Sequence, residues 1–333
     1  MAATDTSEAT GTETAAAPAP RRVLVTGAGG YLGKLVVRAL AADARFADVV
    51  ATDLHAPEGV PGGVASEPLD VADGAAVDAL VARHRPDAIV HLAAIVTPPK
   101  GGVGRERARR VDVDGTRHVL EACLAHGVGQ VVVTSSGAAY GYHADNAPRL
   151  TEDMPLRGND VFAYAHHKRL VEELLATWRA EHPEVKQLVF RPGTILGRTT
   201  RNQITAIFER PVVVGLRGVA SPFVFIWDED VVACVVQGVA EGREGVYNLA
   251  GDGVMTLREI AHALGKPFVA VPPRAMRAAL GLLERLHIGP YGPEQVMFLE
   301  HRPVLANDRL REELGYVPRA SRDVFASWAA AHA

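Results

Sequence analysis

Cysteine is nearly absent: Cys123 and Cys234 are the only two in 333 residues, and both lie in apolar stretches with helical spacing. Two such thiols make no disulfide framework, so both read as buried structural thiols and a cytoplasmic, reducing setting is expected. Long apolar runs are missing too, and no stretch is apolar and long enough to span a bilayer. The first 20 residues are mostly Ala, Thr, Glu and Pro, with no basic residue before Arg21. That is neither a secretory signal nor a transit peptide, and a disordered tail is expected over 1–20. Nor is there an excess of positive charge. Thirty-five Lys and Arg stand against 39 Asp and Glu, a net charge of -4 with no long basic run. Nucleic acid and membrane surfaces are therefore poor candidate partners, and a small-molecule substrate is expected.

Hydrophobic residues make up 48% of the chain and charged ones 22%, an ordinary globular profile. VLVTG is a short β-branched run closed by Gly, which reads as a buried parallel strand. Helical spacing follows from Tyr31 to Leu40. ADVVATD, VASEPLDV, DAIVHLAA, QVVVTSS and KQLVFRP read as further strands. Helical patterns at Ala75–Arg83, Arg105–His126 and Phe162–Ala180 fall between them. This alternation predicts an α/β fold, a Rossmann-type doubly wound parallel sheet. Beyond about residue 193 the pattern loosens. GTILGRTTRNQ reads as a loop with a turn, Ile204–Glu209 as a short helix, SPFVFIW and GVYNLAG as strands, and DEDVVACVVQGVA as a helix opened by acids. From 256 to 330 the chain reads as mostly helical, broken by PFVAVPP and IGPYGP. We expect an NAD-binding domain over 21–192 and a smaller, mainly substrate-binding α/β lobe over 193–333, with the chain crossing back around 223–250.

Gly27, Gly30 and Gly33 lie between the first strand and the first helix. Bare backbone there lets a pyrophosphate approach a helix N-terminus, where free N–H groups and the helix dipole favour an anion. A Gly triplet alone is weak, because turns also want Gly. Its position after a strand and before a helix strengthens it, as does an acid about 20 residues on. That acid is Asp53, placed to accept hydrogen bonds from the adenosine ribose and to repel a 2′-phosphate, which favours NAD over NADP. Asp70 and Val71, after the third strand, are candidates to flank the adenine.

Tyr164 and Lys168 in YAHHK are one helical turn apart and share a face. A Tyr used as acid or base near neutral pH must overcome a pKa of about 10, and lowering it by about 3 units takes about 4 kcal/mol. A neighbouring ammonium, together with a cationic nicotinamide, can supply that preference. VVVTSSGAAYG offers Ser135 and Ser136 as a third member, a hydroxyl to steady a developing oxyanion.

With a Gly loop, a Ser and a Tyr/Lys pair in that order, the chain resembles the short-chain dehydrogenase/reductase superfamily. It looks most like the extended branch, the NAD-dependent epimerase/dehydratase family. The likeness covers roughly residues 21–320 and rests on TGAGGYLG, HLAA, VDVDGTRHVLEA, TSSGAAYG, YAHHK, RPGTILG, VYNLAGDG and LGYVP. The resemblance implies Ser136 as the catalytic hydroxyl, Tyr164 as acid/base and Lys168 as its activator and ribose ligand. It also places Tyr31 and Leu32 of the Gly loop, Leu92, Ala93 and Ala94 after the fourth strand, and Pro192, Thr194 and Ile195 along the cofactor. Asp112 stands where the family usually has Asn; ionised, it accepts hydrogen bonds but cannot donate them, which alters the water relay that Asn serves. The resemblance further implies a homodimer through the two long helices.

Gly137 and Ala138 stand where the family's dehydratases and decarboxylases carry acids, so those reactions are disfavoured. Phe223 and Trp227 occupy the places of the Arg and His of the epimerases' His-Val-x-Asp region. Arg198, Arg201 or Arg217 could substitute for that Arg. The two aromatics are core strand residues or an apolar substrate wall, and Ser136, Gly137, Phe223 and Trp227 form the candidate substrate set. Met276, Leu280, Leu283, Met297 and Phe298 read as core at helical spacing. The histidines show no metal-ligand spacing, and no metal is expected. The first reading is an NAD-dependent oxidoreductase acting on a secondary alcohol or ketone. A sugar-nucleotide 4-epimerase is the close alternative, and a non-catalytic NAD(H) sensor the third.

Overall fold

The computed structural model describes residues 20–97, 101–286, 288 and 292–332. The tail expected over 1–20 lies outside these, apart from Pro20, as does part of the IGPYGP break. The chain runs β1 (Arg21–Thr26), α1 (Tyr31–Ala41), β2 (Phe46–Asp53), β3 (Ala65–Pro68), α2 (Gly74–His84) and β4 (Ala88–His91). Next come α3 (Gly102–Arg109), α4 (Gly115–His126), β5 (Gln130–Thr134), α5 (Ala163–Glu181) and β6 (Lys186–Pro192). The second half begins with β7 (Thr194–Leu196), α6 (Thr205–Glu209), β8 (Val213–Leu216), β9 (Pro222–Phe223), β10 (Phe225–Trp227), α7 (Asp228–Ala240) and β11 (Gly245–Leu249). It closes with β12 (Met255–Thr256), α8 (Leu257–Ala263), β13 (Phe268–Val271), α9 (Pro273–Arg285), α10 (Gln295–Glu300), α11 (Asp308–Glu312) and α12 (Ser321–Ala331).

Seven strands form one sheet in the order β11-β6-β5-β4-β1-β2-β3, every pair parallel. The order reverses between β1 and β4, which opens a crevice beyond their carboxyl ends where ligands of such sheets bind. One face is covered by α1 and α7 through Val36, Val37, Leu40, Val231, Val235 and Val239. The other is covered by α2, α4 and α5 through Val77, Leu80, Leu120, Val171 and Leu175. Each fully buried Val or Leu contributes on the order of 1.5–3 kcal/mol. With both faces covered, the strands read as the continuous apolar runs seen in the sequence. The return of the chain at α7 and β11 puts these two elements on the first sheet.

The remainder packs around a separate aromatic core of Phe208, Phe223, Phe225, Trp227, Phe325 and Trp328. Three two-stranded sheets frame it: β10 with β7, β12 with β9, and β13 with β8. Several local expectations differ here. SPFVFIW is two strands, because Val224 between them turns its carbonyl to Thr194 N–H (3.0 Å). Thr194–Leu196, expected in a loop, is strand β7, and β8 was not foreseen; three or four residues are too few to display a period. α9, expected to supply core, buries none of its residues. No helix among the described residues is long and apolar enough to cross a membrane.

The helix expected over Arg105–His126 is one run broken by a π-helical turn at Arg110–Asp114. The cause is local. Asp112 points inward, its Oδ1 accepting the Ile95 N–H at 2.8 Å. Its carbonyl accepts the Thr116 hydroxyl at 2.6 Å, a side-chain bond that competes with the helical ladder.

Candidate active site

The Gly loop is built by close backbone approach. Gly27 has φ +69°, and a Cβ on it would sit 2.5 Å from Ala93 N; one on Gly33 would sit 2.2 Å from Gly27 O. These contacts are with main chain, which cannot step aside, so no larger residue fits. Gly30 is the N-cap of α1 and offers no side chain to the first N–H groups, which leaves them for an anion. Asp53, at the end of β2, accepts Gly29 N–H at 3.0 Å and Leu54 N–H at 2.7 Å. Tyr31 sends its hydroxyl to Asp228 (2.5 Å) and accepts from Thr200 (2.8 Å), while Leu32 packs against the core. Asp70 is exposed. Val71 is buried in the core, and its carbonyl is held by His118 Nδ1 at 2.9 Å. Leu92 donates to Thr26 O at 3.1 Å, and Ala93 and Ala94 follow, half-buried. A cradle that a Cβ would fill, an uncapped helix end and a carboxylate beyond the second strand fit a dinucleotide. Asp53 in particular would hold the adenosine ribose.

Tyr164 opens α5 and Lys168 follows one turn later, its ammonium 5.8 Å from the Tyr164 ring centroid and donating to Thr134 O at 2.9 Å. The two candidate serines separate. Ser135 is buried and donates to Glu172 at 2.5 Å, so its proton is committed. Ser136 caps the short 3₁₀ turn Gly137–Tyr140, accepting Ala138 N–H at 3.1 Å, and lies beside the Tyr164 phenol, whose ionisation it favours. Burial pushes Tyr164 up to about 12, against the pull of Ser136, and the Asp112 charge adds to the rise. Burial also depresses Lys168, opposed by Asp112 and Glu172. Glu172 is itself held by Arg191 through bonds of 2.6–2.9 Å, and Arg191 continues to the Tyr140 hydroxyl at 2.8 Å. This network locks the ends of β5 and β6 beside the Gly137–Tyr140 turn.

Behind Lys168 lies His91, buried between Thr26 (2.7 Å) and Thr116 (3.1 Å). Since Thr116 spends its only proton on Asp112 O, Nε2 of His91 must carry the hydrogen and Nδ1 must accept from Thr26. His167 is also buried, its Nδ1 3.3 Å from Asp112 Oδ2. No group of three or more His, Cys, Asp or Glu able to hold a metal occurs among the described residues.

The substrate set needs correction. Phe223 and Trp227 are fully buried and pack with Phe208, Phe225 and Trp328, so they are core and not an apolar wall. Gly137 is buried as well, and a Cβ there would sit 3.0 Å from Leu305. Arg198, Arg201 and Arg217 are exposed. The arginine that reaches the site is Arg302. Its guanidinium lies between the rings of Phe223 (3.8 Å) and Phe298 (4.3 Å). One nitrogen donates to Thr194 Oγ1 at 3.1 Å and another to Pro222 O at 3.1 Å. Its Nη1 is buried with no partner among the described residues, and desolvation draws the group down to about 10. Phe298 also packs on Tyr142 (5.3 Å), which meets Phe162 (5.2 Å) just before α5. Pro192 ends β6, and Ile195 packs against the main core. Local sequence does not mark Arg302, because HRPVLAND carries no period.

The family model described as the NAD dependent epimerase/dehydratase family matches residues 23–250. UDP-glucose 4-epimerase of Azospirillum brasilense is 28% identical over 332 residues, covering 93% of this chain and 90% of its own. An uncharacterized protein of Mycobacterium tuberculosis is 24% identical over 305 residues, covering 90% and 81%. Among solved structures, UDP-glucose 4-epimerase of Thermotoga maritima with UDP-glucose superposes with a TM-score of 0.71 at 20% identity, over 92% of this chain and 97% of that one. A short-chain dehydrogenase/reductase superfamily protein of Agrobacterium tumefaciens with bound NAD gives 0.69 at 24% identity, over 93% and 97%. Both share the fold.

Proposed function

Because the chain belongs to the NAD-dependent epimerase/dehydratase family, we propose that it moves a hydride between nicotinamide C4 and a secondary alcohol or ketone, with Tyr164 exchanging the hydroxyl proton. The observation that carries this reading is the grouping of Tyr164, Ser136 and Lys168 at the carboxyl end of β5. Bound NAD would supply the hydride site and a cationic ring that favours the phenolate. In the reducing direction Tyr164 is suited to give its proton, since burial keeps the phenol protonated at neutral pH. The Ser136 hydroxyl would donate to the substrate oxygen and stabilise charge developing there. Lys168, held to Thr134 O, would keep its remaining donors for the nicotinamide ribose. The Gly27–Gly33 loop and Asp53 would hold the pyrophosphate and adenosine ribose, with Asp70, Val71, Leu92, Ala93, Ala94, Pro192, Thr194 and Ile195 along the cofactor. In this division of labour 21–192, completed by α7 and β11, serves the cofactor and the rest serves the substrate.

Arg302 favours one form of that chemistry. A half-buried guanidinium with one buried N–H that meets no partner among the described residues is costly unless an anion meets it. A substrate with a phosphate or carboxylate fits this better than an apolar alcohol, and the aromatic wall that favoured the latter is core. The relatives that act on UDP-glucose point the same way. We therefore place the sugar-nucleotide 4-epimerase ahead of the apolar dehydrogenase. The deciding measurement is nucleotide release on denaturation, paired with turnover of UDP-glucose by wild type and Tyr164→Phe. Tightly held NAD and epimerisation that disappears in the variant are expected. Turnover surviving in Tyr164→Phe removes the acid/base role. An empty protein that oxidises free alcohols with exchangeable NAD returns the reading to a dehydrogenase. NAD binding with no turnover of any substrate supports the sensor.

A further inference from the structure

Helix α9 is apolar on the wrong side for a core helix. Leu280 and Gly281 face the protein: Leu280 is half-buried, and a Cβ on Gly281 would sit 3.8 Å from the Pro293 ring. On the same side Arg277 pairs with Glu300 of α10. The opposite face carries Ala275, Ala279, Leu282 and Leu286, spaced i, i+4, i+7 and i+11 on one helical stripe. All four are exposed, and Leu282 and Leu286 each show 58% of their surface to water. Leu283 and Ile288 are exposed beside them. A contiguous apolar patch of this kind marks a contact surface.

Charge and composition narrow what can cover it. The segment 1–20 has no Val, Ile, Leu, Phe, Tyr or Trp, so it cannot bury leucines. A second copy is opposed by charge. Arg274 and Arg285 lie on one flank of the apolar face, both exposed. An antiparallel pair of α9 helices apposes the same flank of each, so Arg274 of one copy would meet Arg285 of the other. A lipid surface meets no such objection. The whole-chain charge of -4 disfavours an anionic surface, but that charge is unevenly spread. Residues 265–288 hold Lys266, Arg274, Arg277 and Arg285 against Glu284 alone. An apolar face flanked by exposed arginines is the pattern of a helix that lies in a membrane interface.

We propose that α9 seats the protein on an anionic lipid surface, with Ala275, Ala279, Leu282, Leu283 and Leu286 at the acyl boundary and Arg274 and Arg285 at the headgroup phosphates. The long arginine stems suit this, since they run along apolar surface while their charged ends stay wet. The contact is peripheral, because no helix among the described residues can cross a membrane. It does not depend on the reaction catalysed. It does orient the molecule: α9 rests on α10 through Arg277 and Glu300, and Phe298 of α10 packs on Arg302. The substrate side of the site would thus be the side turned toward the lipid.

The test is flotation of the full chain with vesicles of phosphatidylcholine alone, or of phosphatidylcholine and phosphatidylglycerol in equal parts. Wild type is compared with Leu282→Gln/Leu286→Gln and Arg274→Gln/Arg285→Gln. All four side chains are exposed, so both variants are expected to fold, and thermal melts verify it. Wild type should float with the phosphatidylglycerol vesicles, and less as salt is raised. The leucine variant should bind at least about tenfold more weakly. The arginine variant should bind the anionic vesicles about tenfold more weakly and lose most of the salt dependence. Wild type that stays behind with anionic vesicles overturns the proposal. So does a leucine variant that floats like wild type, because charge alone would then hold the protein. Wild type that ignores vesicles but has a solution mass that the leucine substitutions lower makes the face a contact between copies, and the proposal falls.

Discussion

Acid should destabilise this protein through His91. The ring is buried, donates from Nε2 to Thr116 and accepts at Nδ1 from Thr26. Charging it would place a second N–H against the Thr26 hydroxyl in a dry site beside Lys168. Burial, then the Lys168 charge, holds the ring down at about 4 instead of 6.5. Between those two values the unfolded chain binds one proton more than the folded one. Stability therefore falls as pH drops below about 6.5, and the loss is complete near 4. The gap of about 2.5 pH units is worth about 3.4 kcal/mol at 1.36 kcal/mol per unit. About 2 kcal/mol of this should appear between pH 6.5 and 5. Glu152 and Asp228 work in the opposite sense, because burial raises both carboxyls and acid favours their folded state. The measurement is thus a difference: urea unfolding of wild type and His91→Gln at pH 7, 6 and 5. The variant is expected to be less stable at neutral pH, yet it should lose about 2 kcal/mol less than wild type on acidification. Parallel stability–pH curves for the two proteins would refute the buried neutral ring.

Other consequences can be measured directly. Gly33→Ala forces a Cβ against Gly27 O, and relief must come from shifting α1 off its loop. We expect NADH binding at least about tenfold weaker with a stability loss of about 1–3 kcal/mol, and unchanged affinity by fluorescence titration would contradict the close-packed loop. Arg191→Met strands Glu172 in the core and should cost about 3–5 kcal/mol in urea unfolding, with Arg191→Met/Glu172→Leu recovering most of it; a double variant as unstable as the single argues against the pair. A homodimer through α4 and α5 is proposed from the family resemblance, and light scattering should give twice the chain mass; a monomer mass removes it.

Parallel strands buried on both faces produce apolar runs, so β1, β4, β5 and β6 were legible from composition alone. The Gly loop was legible for a related reason. Close backbone approach at Gly27 and Gly33 excludes every side chain, and that exclusion leaves a mark in one dimension. Tyr164 and Lys168 are one turn apart, so their shared face is local information too. Burial of polar groups is different. Ser135 and Ser136 are adjacent and look alike, and only Glu172, 37 positions away, separates them. His91 and His167 carry no local signal of burial, and both are buried by partners on other elements. Phe223 and Trp227 could equally have been wall or core, since a two- or three-residue strand shows no alternation. Arg302 meets Thr194 across 108 positions, and nothing near it in the chain foretells that.

The π-helical turn makes one residue serve two networks. The Asp112 carbonyl anchors the Thr116–His91–Thr26 chain, and its carboxylate anchors Ile95 and His167. The acid sensitivity of His91 and the charge of Lys168 are therefore not independent. The Asp112 charge raises His91, against its burial, so Asp112→Asn should depress the ring further. The pH window in which the unfolded chain holds the extra proton would then widen at its acid end. At the alkaline end, the same substitution should bring forward the loss of the Lys168 proton, whose retention Asp112 favours. One neutralising substitution would act at both ends of the pH range through a single side chain. If Asp112→Asn weakened NADH binding at alkaline pH and left the acid end of the wild-type stability curve in place, the two networks would be separate and the π turn a packing detail. Movement of both would make the turn the element that couples stability to the cofactor side of the site.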